Sequence, residues 1–336
     1  MVRVCAILGV IVIHATPFES ATLPIGRSLD LATVLNQIAR FAVPFFFVVS
    51  GFFWSRKVAE TGQVRGPTVA LARRALLLWL GWSLIYLLPL NLYDALARGA
   101  SGPLKVLWWN LVAVREHPLI ALLEGTSPHL WFLVALIGCA VISAACEFFR
   151  ARWALVILAL VLYAVGLAGQ AYPRAPFGFA LDPAFRNGHL FALAFFATGA
   201  WLQRRGVQGT WLPVGIALAA AGLGLHLLEV ELNHRLWGMP LERDYVAGTY
   251  LLGVGAALIA LSGTRAFHWE RVAAVGPWVL GIYASHMVFV ALLKPLERQF
   301  AGVLGWELVH VPIVFLLAYV TARMLARFRL TRPLVT

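Results

Sequence analysis

Apolar side chains in this chain neither alternate nor keep to one helical face. They fill whole blocks of about 20 residues, the length a helix needs to cross the ~30 Å hydrocarbon layer of a bilayer. Charged residues, prolines and glycines punctuate the blocks. The pattern predicts helices over 2–18, 36–55, 71–90, 128–148, 153–172, 187–203, 211–230, 245–262, 276–294 and 307–326. Residues 103–115, which include Pro103, Lys105, Trp108 and Trp109, read as an amphipathic segment lying in the interface. Trp54, Trp131 and Trp211 stand at block ends, where the interfacial aromatic belt is expected. The expected fold is all-α: a polytopic membrane bundle of about ten transmembrane helices, forming one integral-membrane domain over residues 1–336.

Composition removes the soluble alternative. Of 336 residues, 61% are apolar and 12% charged, where a soluble domain carries about a quarter charged. The formal net charge of +12 would suit nucleic acid, but the basic residues sit in short clusters between apolar blocks, so no nucleic-acid partner is expected. Placing both termini and every second loop on one side collects 16 of the 27 basic residues there, against Glu60, Glu147 and Glu270, a net of +13. The other side is left at −1. That asymmetry puts the N-terminus and the C-terminus in the cytoplasm of a multi-pass protein of the bacterial inner membrane, with membrane lipids as neighbours. Arg3 followed by Val4–Ile13 has the form of a secretory signal, but it is read as a retained helix because candidate residues lie inside it. Cys5, Cys139 and Cys146 lie in apolar blocks and act as small hydrophobes; their spacing suggests neither disulfides nor a metal site.

An ionisable group inside a membrane helix is costly and marks a functional site by default. On this topology eight of the nine histidines fall in the outer half: His14, His129, His189, His226, His286 and His310 in helices or at their ends, and His117 and His234 in loops. His268 is cytoplasmic. Arg40, Glu229 and Lys294 lie toward the outer ends of their helices. For His117, His234, His268, His310 and Lys294 the ordinary reading holds, that they snorkel or hydrogen-bond across helices. His14 and His286 are deeper. Arg3 and His14 are eleven residues apart; at ~100° and ~1.5 Å per residue, that separation returns to nearly the same face about 16 Å further along. A cation near the cytoplasmic surface and an imidazole three turns deeper suit a nucleotide-bearing acyl carrier. Its phosphates would meet Arg3, since guanidinium matches phosphate in charge and fork geometry. Its thioester would approach His14, which can take a proton from an attacking hydroxyl. Taken alone, Arg3 is more simply a topology signal.

In the second block, Pro44 removes a backbone bond to the carbonyl of Arg40 and predicts a kink near the outer end. Ser50-Gly51 leaves a notch through which another helix or a thin ligand can pass. Five segments in order then give the chain a likeness. They are Arg3 to His14, Val43 to Phe53, His129-Leu130-Trp131-Phe132-Leu133, Phe195-Phe196-Ala197-Thr198-Gly199 and Gly276 to His286. With them the chain resembles the membrane-bound acyltransferase-3 family, specifically its surface-polysaccharide O-acyltransferase branch, over nearly its whole length. The resemblance implies about ten helices and transfer of acyl groups from acyl-CoA. The family's paired arginine and histidine match Arg3 and His14, and its Pro/Ser-Gly segment matches Pro44, Ser50 and Gly51. It also implies a few residues ahead of the arginine, often with an acid, where this chain has only Met1 and Val2.

The expected activity is acyl-CoA-dependent O-acylation, with acetyl-CoA as co-substrate and a cell-surface or lipid-linked glycan as acceptor. His14 is the expected general base. Arg3, Ser50 and Gly51 are expected at the acyl-CoA, and His129, Trp131 and His286 at the acceptor. Arg40 is expected either to pair with Glu229 or to bind an acceptor phosphate. No metal is expected. The competing class is a transporter or flippase for a glycan or lipid-linked precursor, against which stands the lack of an inverted repeat or of matching broken helices. A non-catalytic membrane sensor is the third.

Overall fold

The computed structural model describes residues 1–21, 23–25, 29–181, 188–264 and 269–335. Of the candidate histidines, His268 and the side chain of His189 lie outside the described residues. All regular structure described is helical: α1 (Val2–Ala15), α2 (Leu31–Ala39), α3 (Ala42–Thr61), α4 (Arg65–Tyr86), α5 (Leu92–Leu96), α6 (Gly102–Glu116), α7 (Pro118–Glu124), α8 (Trp131–Phe148), α9 (Arg152–Gly166), α10 (Gly188–Arg205), α11 (Leu212–Trp237), α12 (Gly248–Leu261), α13 (Glu270–Ala273), α14 (Val279–Gln299) and α15 (Leu304–Leu325). Short 3-10 turns lead into α8, α11 and α14, and a π turn over Leu167–Ala171 extends α9.

Every predicted block holds a helix, but not every helix is a full span. Among the described residues seven stretches are long and apolar enough to cross a membrane: 31–61, 65–86, 128–148, 152–171, 209–237, 270–299 and 304–325. The number rises to eight if the bent pair α6–α7 is counted. The expected ten therefore falls to seven or eight by this measure. The three blocks that fall short are α1 and α12, with 14 residues each, and α10, which ends in Gln203-Arg204-Arg205. Their surroundings explain it. Ala6, Ile7 and Ile11 of α1, Ala192, Phe195, Phe196 and Ala200 of α10, and Thr249 and Ala257 of α12 are 0% exposed. Helices sheathed by other helices meet protein rather than lipid, so bilayer thickness does not set their apolar length.

Local chemistry sets the breaks. The predicted helix 36–55 divides at Arg40-Phe41, four residues before Pro44, whose ring crowds the Arg40 carbonyl and which has no N–H to give it. Asp30 caps α2 by accepting from the Thr33 N–H at 2.8 Å. The amphipathic segment appears as α6 and continues beyond expectation: after His117 the chain turns by 101° into α7, as the residue ahead of Pro118 leaves the helical region. Leu104, Trp108 and Trp109 of α6 are exposed.

α3 and α10 approach each other very closely. A Cβ on Gly51 would lie 2.0 Å from the Phe196 carbonyl oxygen, and one on Gly199 would lie 1.9 Å from that of Val48. Only hydrogen fits at either place, so the backbones cross almost in contact. Of the two readings of the Ser50-Gly51 notch, the Gly51 side receives a helix.

Beyond α15 the chain folds back as a strap over residues 326–335. Val335 is 0% exposed, Arg332–Leu334 form a 3-10 turn, and the Leu334 carbonyl accepts from the Trp82 indole N–H at 2.8 Å.

Candidate functional site

Three helices deliver histidines to one place. His14 is in the last turn of α1, which stops there because Thr16 (φ 40°) and Phe18 (φ 68°) turn left-handed. The Phe18 N–H is clamped by the buried Glu307 carboxylate at 2.6 Å. His129 belongs to the 3-10 turn ahead of α8, and His286 lies on α14. The ring centroids are 5.3 Å apart for His14–His286, 5.0 Å for His129–His286 and 6.2 Å for His14–His129. His129 and His286 are buried, at 2% and 0% exposed, and His14 is intermediate.

The hydrogen bonds fix one tautomer. His286 Nδ1 lies 2.6 Å from the Tyr283 carbonyl, which can only accept, so Nδ1 carries the proton and Nε2 presents a lone pair. His129 Nδ1 meets the Ser127 hydroxyl at 3.0 Å. Among the described residues neither Nε2 of these two rings has a hydrogen-bond partner. A buried polar atom left unpaired is expensive and marks a place where a ligand group or water completes the bond. Tyr86 and Tyr283 frame the cluster, with ring centroids 5.1 and 5.4 Å from His129. Their hydroxyls donate to the Ala284 carbonyl at 2.7 Å and to the His129 carbonyl. Among the described residues no three histidine, cysteine or acidic side chains are grouped as metal ligands.

A cavity of ≈640 Å³ leads toward this cluster from the end of the bundle where α1 begins. Arg3, Lys57 and Arg74 stand at its mouth, and Ser50, Val49, Phe46 and Val10 line its length. Tyr283 and Phe132, 5.4 Å apart, close the inner end against the histidines. Arg3 and Val10 share the face of α1 predicted for Arg3 and His14, and Val10 lies one turn short of His14. At the mouth the guanidinium carbons of Arg3 and Arg56 sit 4.9 and 4.6 Å from the Phe53 ring centroid, a cation–π arrangement that holds both cations beside an apolar wall.

The sequence candidates thus divide. His14, His129 and His286 come together, and Arg3 and Ser50 line the cavity. Gly51 faces α10 instead. Trp131 packs on Phe47 and Phe191, at 6.0 and 5.9 Å, rather than on the cluster. Arg40 pairs with Asp244 at 2.6 Å and bonds Asn36 at 3.0 Å. The expected pairing with Glu229 is not made, because that carboxylate accepts the Gly248 N–H at 2.7 Å, at the start of α12. His310, buried at 1% exposed with its Nε2 unpartnered among the described residues, stacks on Trp306 of its own helix at 5.0 Å. His234 bonds the Met239 carbonyl and Lys294 pairs with Glu297, so none of the three bonds across helices. Sequence reading did not single out Tyr283, Tyr86, Phe132, Lys57 or Arg74. Tyr283 did carry a signal, since it stands three residues from His286, one turn along the same face.

Comparison with known proteins adds three findings. The model of the acyltransferase-3 family, described as an acyltransferase domain, matches residues 1–325. An amino-acid racemase of Enterococcus faecalis is 28% identical over 213 residues, 60% of this chain and 27% of the relative. A serine/alanine racemase of Enterococcus gallinarum is 28% identical over 248 residues, 69% of this chain and 32% of the relative. The chain spans about a third or less of the length of these curated relatives. No solved structure matches it.

Proposed function

The chain belongs to the acyltransferase-3 family and carries several helices long and apolar enough to cross a membrane, and from that premise we propose that it is a multi-pass membrane acyltransferase that transfers an acyl group, acetyl in the first instance, from acyl-CoA to a hydroxyl of a cell-surface or lipid-linked glycan. The observation that carries this reading is the cavity joining Arg3 to the wall of the histidine cluster. Its cationic mouth suits the nucleotide phosphates, and its apolar length, relieved by Ser50, suits the pantetheine arm. The mouth faces the cytoplasm, where acyl-CoA is made, in keeping with the basic residues gathered there. The histidine cluster then faces the acceptor.

The chemistry is acyl transfer by general base catalysis. His14 takes the proton of the acceptor hydroxyl as its oxygen attacks the thioester carbonyl. The tetrahedral intermediate collapses, the C–S bond breaks, and the leaving thiolate recovers the proton from the imidazolium. His286 Nε2, an acceptor in the tautomer described, and His129 Nε2 orient hydroxyls of the acceptor. The racemase names of the relatives give no second mechanism, because they cover a minor part of those chains and this chain matches the acyltransferase model along 325 residues.

The test is acetyl-CoA turnover by purified protein in wild type, His14→Ala and Arg3→Ala. Thioester loss abolished by His14→Ala, and needing about tenfold more acetyl-CoA with Arg3→Ala, supports the reading. Turnover untouched by His14→Ala removes it as base. Unchanged acylation of the glycan in cells lacking the protein, with export of the glycan lost, would favour transport instead.

A further inference from the structure

Beside the mouth of the cavity lies a smaller recess of ≈410 Å³. Arg73, Arg74 and Leu77 of α4 form one side, and Arg329, Arg332 and Pro333 of the C-terminal strap form the other. Ala70 and Arg74 line both spaces, so the recess adjoins the mouth directly.

Two observations set these arginines apart from an ordinary topology cluster. The first is that the strap carrying two of them is firmly seated. Val335 is fully buried against Gly281, Trp82 holds the Leu334 carbonyl, and the Leu334 side chain occupies the space over Gly81, where a Cβ would lie 2.2 Å from it. This strap lies beyond the family match, which ends at residue 325. The second is that Arg73, Arg74 and Arg329 pair with no carboxylate among the described residues. Guanidinium groups brought around one recess repel one another until an anion stands between them.

Resting on the acyl-CoA reading above, we propose that Arg73, Arg329 and Arg332, with Arg74 as the shared edge, form a second phosphate subsite that takes the 3′-phosphate of the donor nucleotide. Acyl-CoA carries its phosphate in two places, a pyrophosphate next to the pantetheine arm and a separate monoester on the ribose. An arm extended along the cavity brings the pyrophosphate to Arg3 and Arg74. The ribose phosphate then lies outside the cavity, on the side where the recess opens. A phosphate monoester has nearly two charges and three acceptor oxygens, enough for more than one guanidinium. The headgroup of an anionic lipid offers the same chemistry, and the test separates the two sources.

Equilibrium binding of CoA and of 3′-dephospho-CoA is measured for the full chain in uncharged detergent, as wild type, as R329Q/R332Q and as R73Q. Wild type is expected to prefer CoA by about tenfold, and each variant to lose most of that preference by weakening CoA while binding 3′-dephospho-CoA as before. Equal affinity of wild type for both ligands overturns the subsite, and so does a preference that the variants retain. The R73Q arm does not touch the strap, so it reads the site even if R329Q/R332Q unseats those residues. The same measurements in phosphatidylcholine nanodiscs, with and without phosphatidylglycerol, expose the lipid source. A recess whose arginines matter only when phosphatidylglycerol is present, with no preference between the two ligands, holds a lipid headgroup, and the proposal falls. CoA preference without acyl transfer leaves the subsite standing and removes the transferase mechanism. Acyl transfer without CoA preference does the reverse, and no CoA binding by folded wild type sinks both.

Discussion

His226 and the pair His129–His286 are equally withdrawn from solvent, between 0% and 2% exposed, yet they are treated in opposite ways. His226 on α11 has both ring nitrogens engaged, Nδ1 by the Thr249 hydroxyl at 2.8 Å and Nε2 by the Gln37 carboxamide at 2.9 Å. Thr249 in turn accepts the Val246 N–H at 2.8 Å, so the ring ties α2, α11 and the start of α12 into one satisfied network. His129 and His286 each keep one nitrogen bonded and one unpaired among the described residues, with their rings 5.0 Å apart and 6.2 and 5.3 Å from that of His14. Burial alone does not distinguish the two places. Satisfaction and clustering together do: His226 is a rivet, whereas His129 and His286 keep unpaired nitrogens beside a third ring; His310 keeps an unpaired Nε2 too, but stacks on Trp306 instead.

Substitution can break that contrast. His14→Ala is expected to lower turnover by about 10³-fold, the weight of a general base, while leaving the thermal unfolding of the purified protein in place. His226→Ala should do the opposite. It strands Gln37 and Thr249 in the interior and destabilises by about 1–3 kcal/mol, read in thermal or denaturant unfolding, with turnover per folded molecule nearly unchanged. A large loss of specific activity in folded His226→Ala would erase the distinction. Tyr283→Phe is a finer probe, since it removes the hydroxyl that donates to the His129 carbonyl and leaves the ring wall intact. A fall in kcat of a few-fold, with little change in KM, is expected from loosened placement of His129.

The smallest effect lies away from both sites. Asp94 on α5 accepts two hydrogen bonds from Arg298 of α14, at 2.9 and 2.7 Å, and these hold its carboxyl below the usual carboxylate range. A lowered pKa means the contribution is present at neutral pH and fades as the carboxyl protonates, when pH falls through the lowered value. Asp94→Asn should therefore flatten the acid side of the stability–pH curve slightly and leave its neutral plateau almost level, because the pair is solvent-exposed.

The same contrast explains what could be read from sequence. Helix positions were legible because apolar blocks and their punctuation are local: 128–148 and 153–172 match the observed helical stretches 128–148 and 152–171 within a residue. The break at Arg40-Phe41 was legible in Pro44. The number of full spans was not, because α1, α10 and α12 are short for reasons of tertiary position that apolarity does not encode. The face joining Arg3 to His14 follows from helical period, and the cavity runs along it to Val10. Depth in the predicted helices and the family-like segments singled out His14, His129 and His286 over His226, but their meeting depends on how α1, α8 and α14 dock, which no local pattern encodes. Arg40 with Asp244, in place of Glu229, is the same lesson in charge: partners are chosen by packing across the bundle. The strap after α15 was invisible because it has no periodic pattern.

The Gly51–Gly199 crossing also has a consequence in time. α3 leaves the ribosome long before α10, on the order of ten seconds earlier at ordinary rates of synthesis. Until α10 arrives, the face of α3 that carries Gly51 has only lipid beside it, and its backbone lacks the neighbour it is shaped to receive. Biogenesis of this protein therefore includes a waiting period in which the segment that will carry the Ser50 wall is inserted but not yet assembled. Chains stopped before α10 should remain in that state and be prime substrates for membrane quality control.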